Sequence, residues 1–544
     1  MKKDYIEKQH EVSHKSEEVL LLKTVVCAVS AVVMTLLVVL GLNFRILAAA
    51  TLIFSGVIFG LLYREMLDAL VSVIRLAPSN DSFNAIALIF VFVRAIALFF
   101  VGSNQSGFFS PVLFFSVTVS MFMKYLYAAC LTRNISYVRD HGAYSVGLSR
   151  SGLSQRYINR VCTVVPIKSD VDIINTTYSG DPSEEKNKYF VPVMSGMILI
   201  FSVVMLILKG LSAFFISLAA LFTVCACFTG EMAFVLPYVS IQNRVSRLGG
   251  VLLGYHSVKK LQDIDTIMVS DNDIFPPKLT EIKDVKVRGK EYASRVLGYT
   301  AIVAKATGSP LRGPLFDVLK IPEDRAGEPE SLRVLRNYGA VAVVNGDEVL
   351  LGNRNLLLSY DIKPLAQEKE ASLVSTDNGN ILYCVINRKL AAVFLVKYNC
   401  DPNLKKAAER IGDFRLLVET DDCNITESLI KKQLDIPDIR VIIPGNDEAT
   451  AVSGLKKEVS GKEPPAMISS EKSIGVLSSI KQVKFLSKIL SRSIFAKQLG
   501  ILVSVLFTAA AIFMSPEGMS GLWLLLISLI WTLPVIFMSV VKQK

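Results

Sequence analysis

The sequence has few of the residues that build disulfide frameworks and metal-binding modules. It contains 8 cysteines and 4 histidines among 544 residues, and no two cysteines have the C-x-x-C spacing. A disulfide framework or a zinc ribbon is therefore not expected. His10 and His14 are close enough to share one helix face, but a solvated pair accounts for them better than a metal site does.

Charge is also scarce: charged residues make up 20% of the chain, whereas 51% of its residues are hydrophobic and the mean hydropathy is +0.45. This composition excludes an ordinary soluble protein and predicts an integral membrane protein. The formal net charge is +11, yet no basic patch is interleaved with aromatic residues. Nucleic-acid binding is therefore not expected, and the predicted partner is the lipid bilayer.

Eight apolar stretches are close to the length that crosses a bilayer of about 30 Å. They lie at 24–42, 46–63, 85–101, 109–131, 190–208, 211–239, 499–514 and 522–541. Lys and Arg are concentrated in the N-terminal tail and at 64–84, 132–189 and 240–498. Cytoplasmic flanks accumulate such residues, so both termini and the large polar regions are predicted to be cytoplasmic, with the plasma membrane as the expected location. The mixed charges of 1–23 do not fit a cleavable signal peptide.

An apolar strand running into an acidic turn follows the sixth stretch. From Ile264 to Pro277 the chain reads I-D-T-I-M-V-S-D-N-D-I-F-P-P. This resembles the phosphorylation strand of P-type ATPases, in which V-D-T-V-V-F leads into D-K-T-G-T-L-T. In that family the first Asp of the signature attacks ATP and carries the phosphoryl group, and the turn holds Mg²⁺. Here the strand is retained and the signature is not.

The order of the apolar stretches resembles the heavy-metal-transporting branch of that family. The resemblance implies an eight-helix transmembrane bundle plus a cytoplasmic α/β domain, Rossmann-like and of the haloacid-dehalogenase type, with an inserted β-rich nucleotide-binding-like domain. It divides the chain into a tail (1–23), four helices (24–131), a shortened actuator-like insert (132–189), two helices (190–239), a phosphorylation-like first part (240–278), a nucleotide-binding-like domain (279–395), a second phosphorylation-like part with a stalk (396–498), and two helices with a tail (499–544).

Two registers are open for the phosphorylated position. Aligning I-D-T with V-D-T puts Ser270 in the nucleophile's place, and a shift of one residue puts Asp271 there. The second register makes Asp271 and Asp273 the D-x-D of dehalogenase-type phosphatases, in which the first Asp attacks and the second serves as acid and base. A further alternative is an acidic loop that only caps the strand.

Three more cytoplasmic elements resemble family motifs incompletely. In 307–311, T-G-S-P-L resembles S-E-H-P-L, with Ser309 in the place of the His that contacts adenine. In 420–423, T-D-D-C resembles the T-G-D-N loop and leaves Thr420 and Asp422 as weak cofactor-binding candidates. Asp421 adds a negative side chain where phosphate should sit. The Mg²⁺-binding G-D-G-x-N-D loop should follow a strand near 466–468, where the chain continues S-S-E-K-S without an Asp.

Two elements near the membrane stretches resemble functional motifs as well. Ser179-Gly180-Asp181 is similar to the T-G-E loop that positions water for dephosphorylation, although such a sequence also forms ordinary surface turns. Cys225 and Cys227 resemble the Cys-Pro-Cys motif of the heavy-metal branch without its Pro. With Glu231 they are the candidate metal ligands, and packing of small apolar thiols is the alternative.

Together these departures favour a degenerate P-type ATPase with a regulatory or scaffolding role and no stable aspartyl-phosphate. One alternative is a divergent cation transporter or a phosphatase that uses Asp271, with ATP and Mg²⁺ as cofactors. Another is ATP-independent binding of a metal ion or a lipid by the membrane bundle. The sequence names no cation, no protein partner and no oligomeric state.

Overall fold

The computed structural model describes residues 2–101, 107–141, 144–150, 160–167, 172–288, 292–377, 379–445, 448, 451–452, 454, 464–516 and 518–540. The first half of the chain is mostly helical. Its elements are α1 (Lys2–Val39), α2 (Phe44–Leu61), α3 (Tyr63–Ile74), α4 (Ser82–Val101), α5 (Ser110–His141), β1 (Tyr144–Arg150), β2 (Arg160–Pro166), α6 (Ile173–Tyr178), α7 (Pro182–Lys209), α8 (Leu211–Cys225) and α9 (Thr229–Arg247).

The second half alternates strands and helices before two final long helices. Its elements are β3 (Gly250–Leu252), α10 (Gly254–Leu261), β4 (Ile264–Ser270), α11 (Asp271–Ile274), β5 (Thr280–Val287), α12 (Ala293–Ala306), α13 (Arg312–Leu319), β6 (Ser331–Leu335), β7 (Gly339–Val344), β8 (Asp347–Gly352), α14 (Arg354–Ser359), α15 (Gln367–Asp377), β9 (Asn380–Ile386), β10 (Lys389–Tyr398), α16 (Pro402–Ala408), β11 (Arg415–Glu419), α17 (Glu427–Leu434), β12 (Arg440–Ile442), β13 (Met467–Ser469), α18 (Lys472–Met514) and α19 (Gly521–Val540).

The eight predicted membrane spans are confirmed. In the described part of the chain, eight helical stretches are long and apolar enough to cross a bilayer. Their outer faces carry large exposed apolar side chains such as Ile207 (78% exposed) and Phe537 (72% exposed). Water would penalise such a surface, whereas lipid tails accommodate it, so these faces contact the bilayer.

Several spans continue beyond membrane length as one helix. The segment predicted as a polar tail forms the first turns of α1 and packs along α5. Gln9 accepts a hydrogen bond from the Ile173 backbone N–H at 2.9 Å, and Ser13 shares one with Thr132 at 2.9 Å. The predicted stalk likewise forms the first half of α18, a helix of 43 residues.

A seven-stranded sheet has the order β12-β11-β4-β2-β1-β13-β3. Strands β12, β11, β4 and β2 run parallel to one another, as expected for a doubly wound sheet, whereas β1 pairs with β2 in the antiparallel direction. The predicted strand at 264–270 is β4, and the predicted next strand is β11. Asp401 caps α16 by accepting from the Asn403 N–H at 2.8 Å, with Pro402 in the first turn, also as predicted.

The described part of the insert at 132–189, predicted to be a shortened actuator-like unit, contributes two strands to the seven-stranded sheet. Its strands β1 and β2 form a hairpin inside the seven-stranded sheet, where β2 pairs with β4 and β1 pairs with β13. Val161, Cys162 and Thr163 are each at most 1% exposed. A strand buried on both faces is typical of a sheet centre, and the apolar β-branched run of β2 suits that position.

A six-stranded antiparallel sheet, β5-β10-β9-β8-β7-β6, forms the inserted domain. The predicted hairpin joins β7 and β8 through Asn345 and Gly346, whose φ angles are +52° and +78°. Two consecutive positive φ angles match the tight turn that suits the twist of paired strands. The predicted fold class, a membrane helix bundle with cytoplasmic α/β domains and a β-rich insertion, is therefore confirmed.

Candidate functional site

Asp271 lies where β4 ends and α11 begins, and its side chain is 5% exposed. Its Oδ2 accepts a hydrogen bond from Thr420 Oγ1 at 2.8 Å, and its Oδ1 accepts from the Asn272 N–H at 2.6 Å. Strands β4 and β11 run parallel with Ser270 opposite Glu419, which brings the residues after both strands to one edge of the sheet. Of the two registers, the geometry therefore puts the Asp271 carboxylate, rather than the Ser270 hydroxyl, against Thr420.

Burial controls the chemistry of this carboxyl group. The pKa of Asp271 is raised to about 7, chiefly because burial removes the carboxyl group from water; the Thr420 hydrogen bond opposes this shift and the nearby Asp422 adds to it. Burial also raises the pKa of Asp422, against hydrogen bonds from Ser309 and Tyr398. At neutral pH a large share of Asp271 is therefore protonated, which weakens it as a nucleophile.

The segment resembling the adenine-binding motif lies directly on these two carboxyl groups. Asn272 Nδ2 donates to Gly308 O at 2.9 Å and also to Asp271 Oδ1 at 2.8 Å. Ser309 Oγ donates to Asp422 Oδ2 at 2.6 Å, and Ser309 is itself 4% exposed. The β4 and β11 loops are therefore tied to the inserted domain by hydrogen bonds.

Two further contacts join the inserted domain to the loop after β11. Tyr398, at the end of β10, donates its hydroxyl to Asp422 Oδ2 at 2.9 Å. Arg336, between β6 and β7, pairs with Asp421 Oδ1 at 2.9 Å. The extra acid of the T-D-D-C loop thus faces an arginine of the inserted domain, in a contact that partly neutralises its charge.

The segment after β13, where a Mg²⁺-binding Asp is expected in a pump, contacts both the β3 side of the sheet and Asp273. Ser470 N donates to Gly249 O at 2.9 Å, and Ser470 Oγ shares a hydrogen bond with the Tyr137 hydroxyl at 2.9 Å. The β1–β2 hairpin separates β13 from β4 in the sheet. Asp273, the second acid of the D-x-D reading, contacts the Ser473 hydroxyl and the Lys472 ammonium at the start of α18.

Asp181, in the segment that resembles the T-G-E loop, lies between α6 and α7. It is the N-cap of α7, where its Oδ1 accepts from the Ser183 N–H at 2.6 Å. Its Oδ2 accepts from Asn80 Nδ2 at 2.7 Å, beside the membrane bundle. The loop is therefore engaged by the membrane helices rather than by the Asp271 site.

The sixth span is interrupted at the predicted Cys pair. Cys225 ends α8, Ala226 has non-helical backbone angles, and Thr229 begins α9. The Ala226 carbonyl released by the break accepts from Ser116 Oγ, while Cys227 Sγ shares a hydrogen bond with Thr229 Oγ1 at 2.9 Å. Exposed backbone groups in a broken membrane helix are suited to coordinate ions.

The predicted metal ligands do not gather into one cluster. Within the described ranges, no group of three or more His, Cys, Asp or Glu side chains is placed to hold a metal ion. Cys225 and Cys227 line a space of about 10 Å³ together with Lys497, whereas Glu231 lines a separate, larger cavity. A void of that size holds roughly one water molecule.

Sequence reasoning missed the amide that connects these parts. The side-chain oxygen Oδ1 of Asn80 accepts hydrogen bonds from Lys497 Nζ at 2.8 Å and from Asn187 Nδ2 at 2.9 Å. The side-chain nitrogen Nδ2 of Asn80 lies 3.4 Å from Glu231 Oε2. The sequence did contain a signal for a polar site inside the bundle. Ser116, Ser120 and Lys124 repeat every four residues in an apolar span, and they contact Asp81 and Asn84, next to Asn80.

Comparison with known proteins gives the following similarities. No family model matches the chain. It is 22% identical over 277 residues to a copper-exporting P-type ATPase of Staphylococcus aureus strain MRSA252, and equally so to that of strain JH9. The match covers 50% of this chain and 34% of each relative, so the chain spans about a third of their length.

Two solved structures of a zinc-transporting PIB-type ATPase, in two different states, are also similar. The first has a TM-score of 0.48 at 11% identity, and the similarity covers 95% of this chain and 98% of that chain. The second has a TM-score of 0.43 at 13% identity, and the similarity covers 96% of this chain and 99% of that chain.

Proposed function

We propose that this chain is a member of the heavy-metal P-type ATPase family that keeps the architecture of a pump but does not form an aspartyl-phosphate. Its role is then regulatory or scaffolding, carried out by an integral membrane protein of the plasma membrane with cytoplasmic termini. The observation that carries the proposal is the state of Asp271. The carboxyl group is buried, raised in pKa, and covered by the segment that should bind nucleotide.

Phosphoryl transfer needs an open carboxylate, Mg²⁺ and a cation that spreads the developing charge. Around Asp271 the chain instead supplies Thr420, Asn272 and the neighbouring acid Asp422. A γ-phosphate beside these two acids would be repelled unless a cation neutralised their charge. Asp273, the second acid of the D-x-D alternative, contacts Lys472 and Ser473 at the start of α18.

The β1–β2 hairpin supports the same proposal. In the family that this chain resembles, the T-G-E loop of the actuator positions water for dephosphorylation, so the actuator has to reach the phosphorylated residue. Here the hairpin is held by strand pairing on both sides, to β4 and to β13. Its movement would break main-chain hydrogen bonds in the centre of a sheet, which supports a protein that does not cycle.

The test is acid-quenched labelling of the purified full chain with γ-labelled ATP and Mg²⁺. We expect no hydroxylamine-sensitive label, and the same background in Asp271→Asn. A Staphylococcus aureus copper-exporting ATPase treated in parallel controls for the assay. A label on the native chain that disappears in Asp271→Asn would falsify the proposal and favour a divergent pump.

The interrupted sixth span favours a second candidate, cation transport or metal binding by the bundle. Its carrying observation is the Ala226 carbonyl, released from the helix beside Cys225 and Cys227. We expect no change in bound metal between the native chain and Cys227→Ala, because Lys497 already occupies the adjacent space. Loss of a stoichiometric metal in Cys227→Ala, with Cys400→Ala as a matched control outside the bundle, would establish this candidate instead.

A further inference from the structure

Arg94 is a basic side chain inside a membrane span, in the second half of α4, and it is only 6% exposed. Its Nη1 donates a hydrogen bond to the Gly107 carbonyl. The carbon at the centre of its guanidinium lies 4.3 Å from the centre of the Phe109 ring. The carbonyl and the ring attract a cation, but both are uncharged, so neither neutralises the Arg94 charge.

The elements around Arg94 supply no acid. Arg94 lines a void of about 10 Å³ together with Thr51 of α2, Ala219 of α8 and Ser110 at the start of α5. Helices α2, α4 and α8 contain no Asp or Glu, and neither does the stretch 102–123. Among the described residues, no charged neighbour acts on the guanidinium. Buried charges in proteins are normally paired, and an ionisable residue inside a span marks a functional site by default, so an anionic partner is expected.

A cavity of about 640 Å³ lies at the same end of the bundle, away from the α/β domains. Its walls are the end of α1, the start of α2, the start of α5 and the start of α19, and most of its lining side chains are apolar. Val39 and Leu522 line it and are 77% and 72% exposed, which places its opening on the lipid-facing surface. An alkyl chain can therefore enter it from the bilayer without crossing water.

Gly107 and Phe108 lie between the Arg94 guanidinium and this cavity. Both residues line the cavity, and Phe108 also lines the void beside Arg94. A Cβ added to Gly107 would lie 3.5 Å from Arg94 Nη2, so the guanidinium lies directly behind this glycine. Within the described ranges, Gly107 O is the one hydrogen-bond acceptor for Arg94, and it uses Nη1. The Nε–Nη2 edge is left, and its two parallel N–H groups match the two oxygens of a carboxylate.

We propose that this site binds an ionised long-chain carboxylic acid, with the carboxylate on the Nε–Nη2 edge of Arg94 and the alkyl chain in the cavity. The cavity volume is within the range of pockets that enclose one small ligand. The void beside Arg94 has room for roughly one water molecule, which favours a carboxylate over the bulkier phosphodiester of a phospholipid. The site is independent of the proposed function, because neither ATP nor an aspartyl-phosphate takes part.

The test uses the full chain in phosphatidylcholine nanodiscs and a palmitic acid that carries a photoreactive diazirine on its chain. At alkaline pH, where the acid is ionised, we expect saturable labelling of peptides that line the cavity. Unlabelled palmitate should displace the probe at about tenfold lower concentration than hexadecanol, which has the same chain length and no charge. Equal displacement by the two compounds overturns the proposal, because the cavity then accepts any alkyl chain. Stronger displacement by lysophosphatidylglycerol than by palmitate also overturns it, because the ligand is then a phospholipid.

Two pairs of variants test the two parts of the site. Arg94→Gln, which can still donate to Gly107 O, should raise the half-saturating probe concentration about tenfold, and Arg94→Lys, which keeps the charge, should raise it less. Val38→Phe adds bulk to the cavity lining and should weaken labelling, while Val32→Phe, on the exposed face of the same helix, should label like the native chain.

An Arg94→Gln chain that has a native melting temperature and labels like the native chain contradicts the proposal, and Arg94 then serves only to hold the Gly107 carbonyl. If Arg94→Gln does not fold, the comparison of palmitate with hexadecanol on the native chain decides.

Discussion

Asp271→Asn should make the protein more stable than the native chain above pH 8, by up to about 4 kcal/mol. The pKa of Asp271 rises from 3.8 to about 7 on burial, and each unit of difference corresponds to about 1.4 kcal/mol between the two protonation states. An amide cannot ionise, so it avoids the cost of a buried charge. Its oxygen can still accept the Asn272 N–H hydrogen bond.

The direction of the pH dependence follows from the raised pKa. Between about pH 4 and pH 7 the folded chain holds a proton on Asp271 that the unfolded chain has released. The free energy of unfolding of the native chain therefore falls across this window as pH rises. Asp271 makes its full favourable contribution to the free energy of unfolding below the pKa of the unfolded chain, 3.8. That contribution is lost by the time pH passes the pKa of the folded chain, about 7.

Denaturant titrations of the full chain in non-ionic detergent at pH 5 and pH 8 measure this difference. The advantage of Asp271→Asn should grow from pH 5 to pH 8. Asp435→Asn is a matched control, because Asp435 is exposed and its φ of +59° also suits Asn. That control should change stability by less than about 0.5 kcal/mol at either pH. An Asp271→Asn chain that is less stable at pH 8 than at pH 5, relative to native, contradicts the prediction.

The local features of this chain could be predicted because each depends on neighbouring residues. Alternating apolar residues around Asn345-Gly346 give the β7–β8 hairpin, and an apolar run ending in a polar turn gives β4. The lengths of the apolar stretches predict the eight membrane spans. The division into domains stays a prediction. Strand β10 continues to Tyr398, past residue 395, where the nucleotide-binding-like domain is predicted to end.

What the sequence could not predict depends on contacts between distant segments. The run of β2 predicts a buried strand, but nothing local specifies β4 as its partner about a hundred positions later. Asn80 likewise bonds to Asp181 and Asn187 at the start of α7 and to Lys497 in α18, two parts of the chain that are far from it in sequence. The motif comparison indicated loss of function at Ser309, but it could not indicate that Ser309 bonds directly to Asp422.

Gly254→Ala should destabilise the protein by about 3 kcal/mol or more, because α10 begins in direct contact with the α6 backbone. A Cβ on Gly254 would lie 2.0 Å from Thr177 O and 2.7 Å from the Tyr127 hydroxyl, and its φ of +61° adds backbone strain. Both neighbours line a cavity of about 360 Å³, so α6 must shift and the wall of this cavity must change.

Gly298→Ala provides the matched comparison. Gly298 lies inside α12, where an added Cβ meets nothing within 4 Å. Since alanine favours the helix over glycine, this change should stabilise the protein by about 0.5–1 kcal/mol. Thermal melts of the two variants and the native chain in the same detergent should therefore move in opposite directions. If both variants melt together with the native chain, then α10 does not contact α6 as closely as these distances require, and the cavity wall at Thr177 is more open than described.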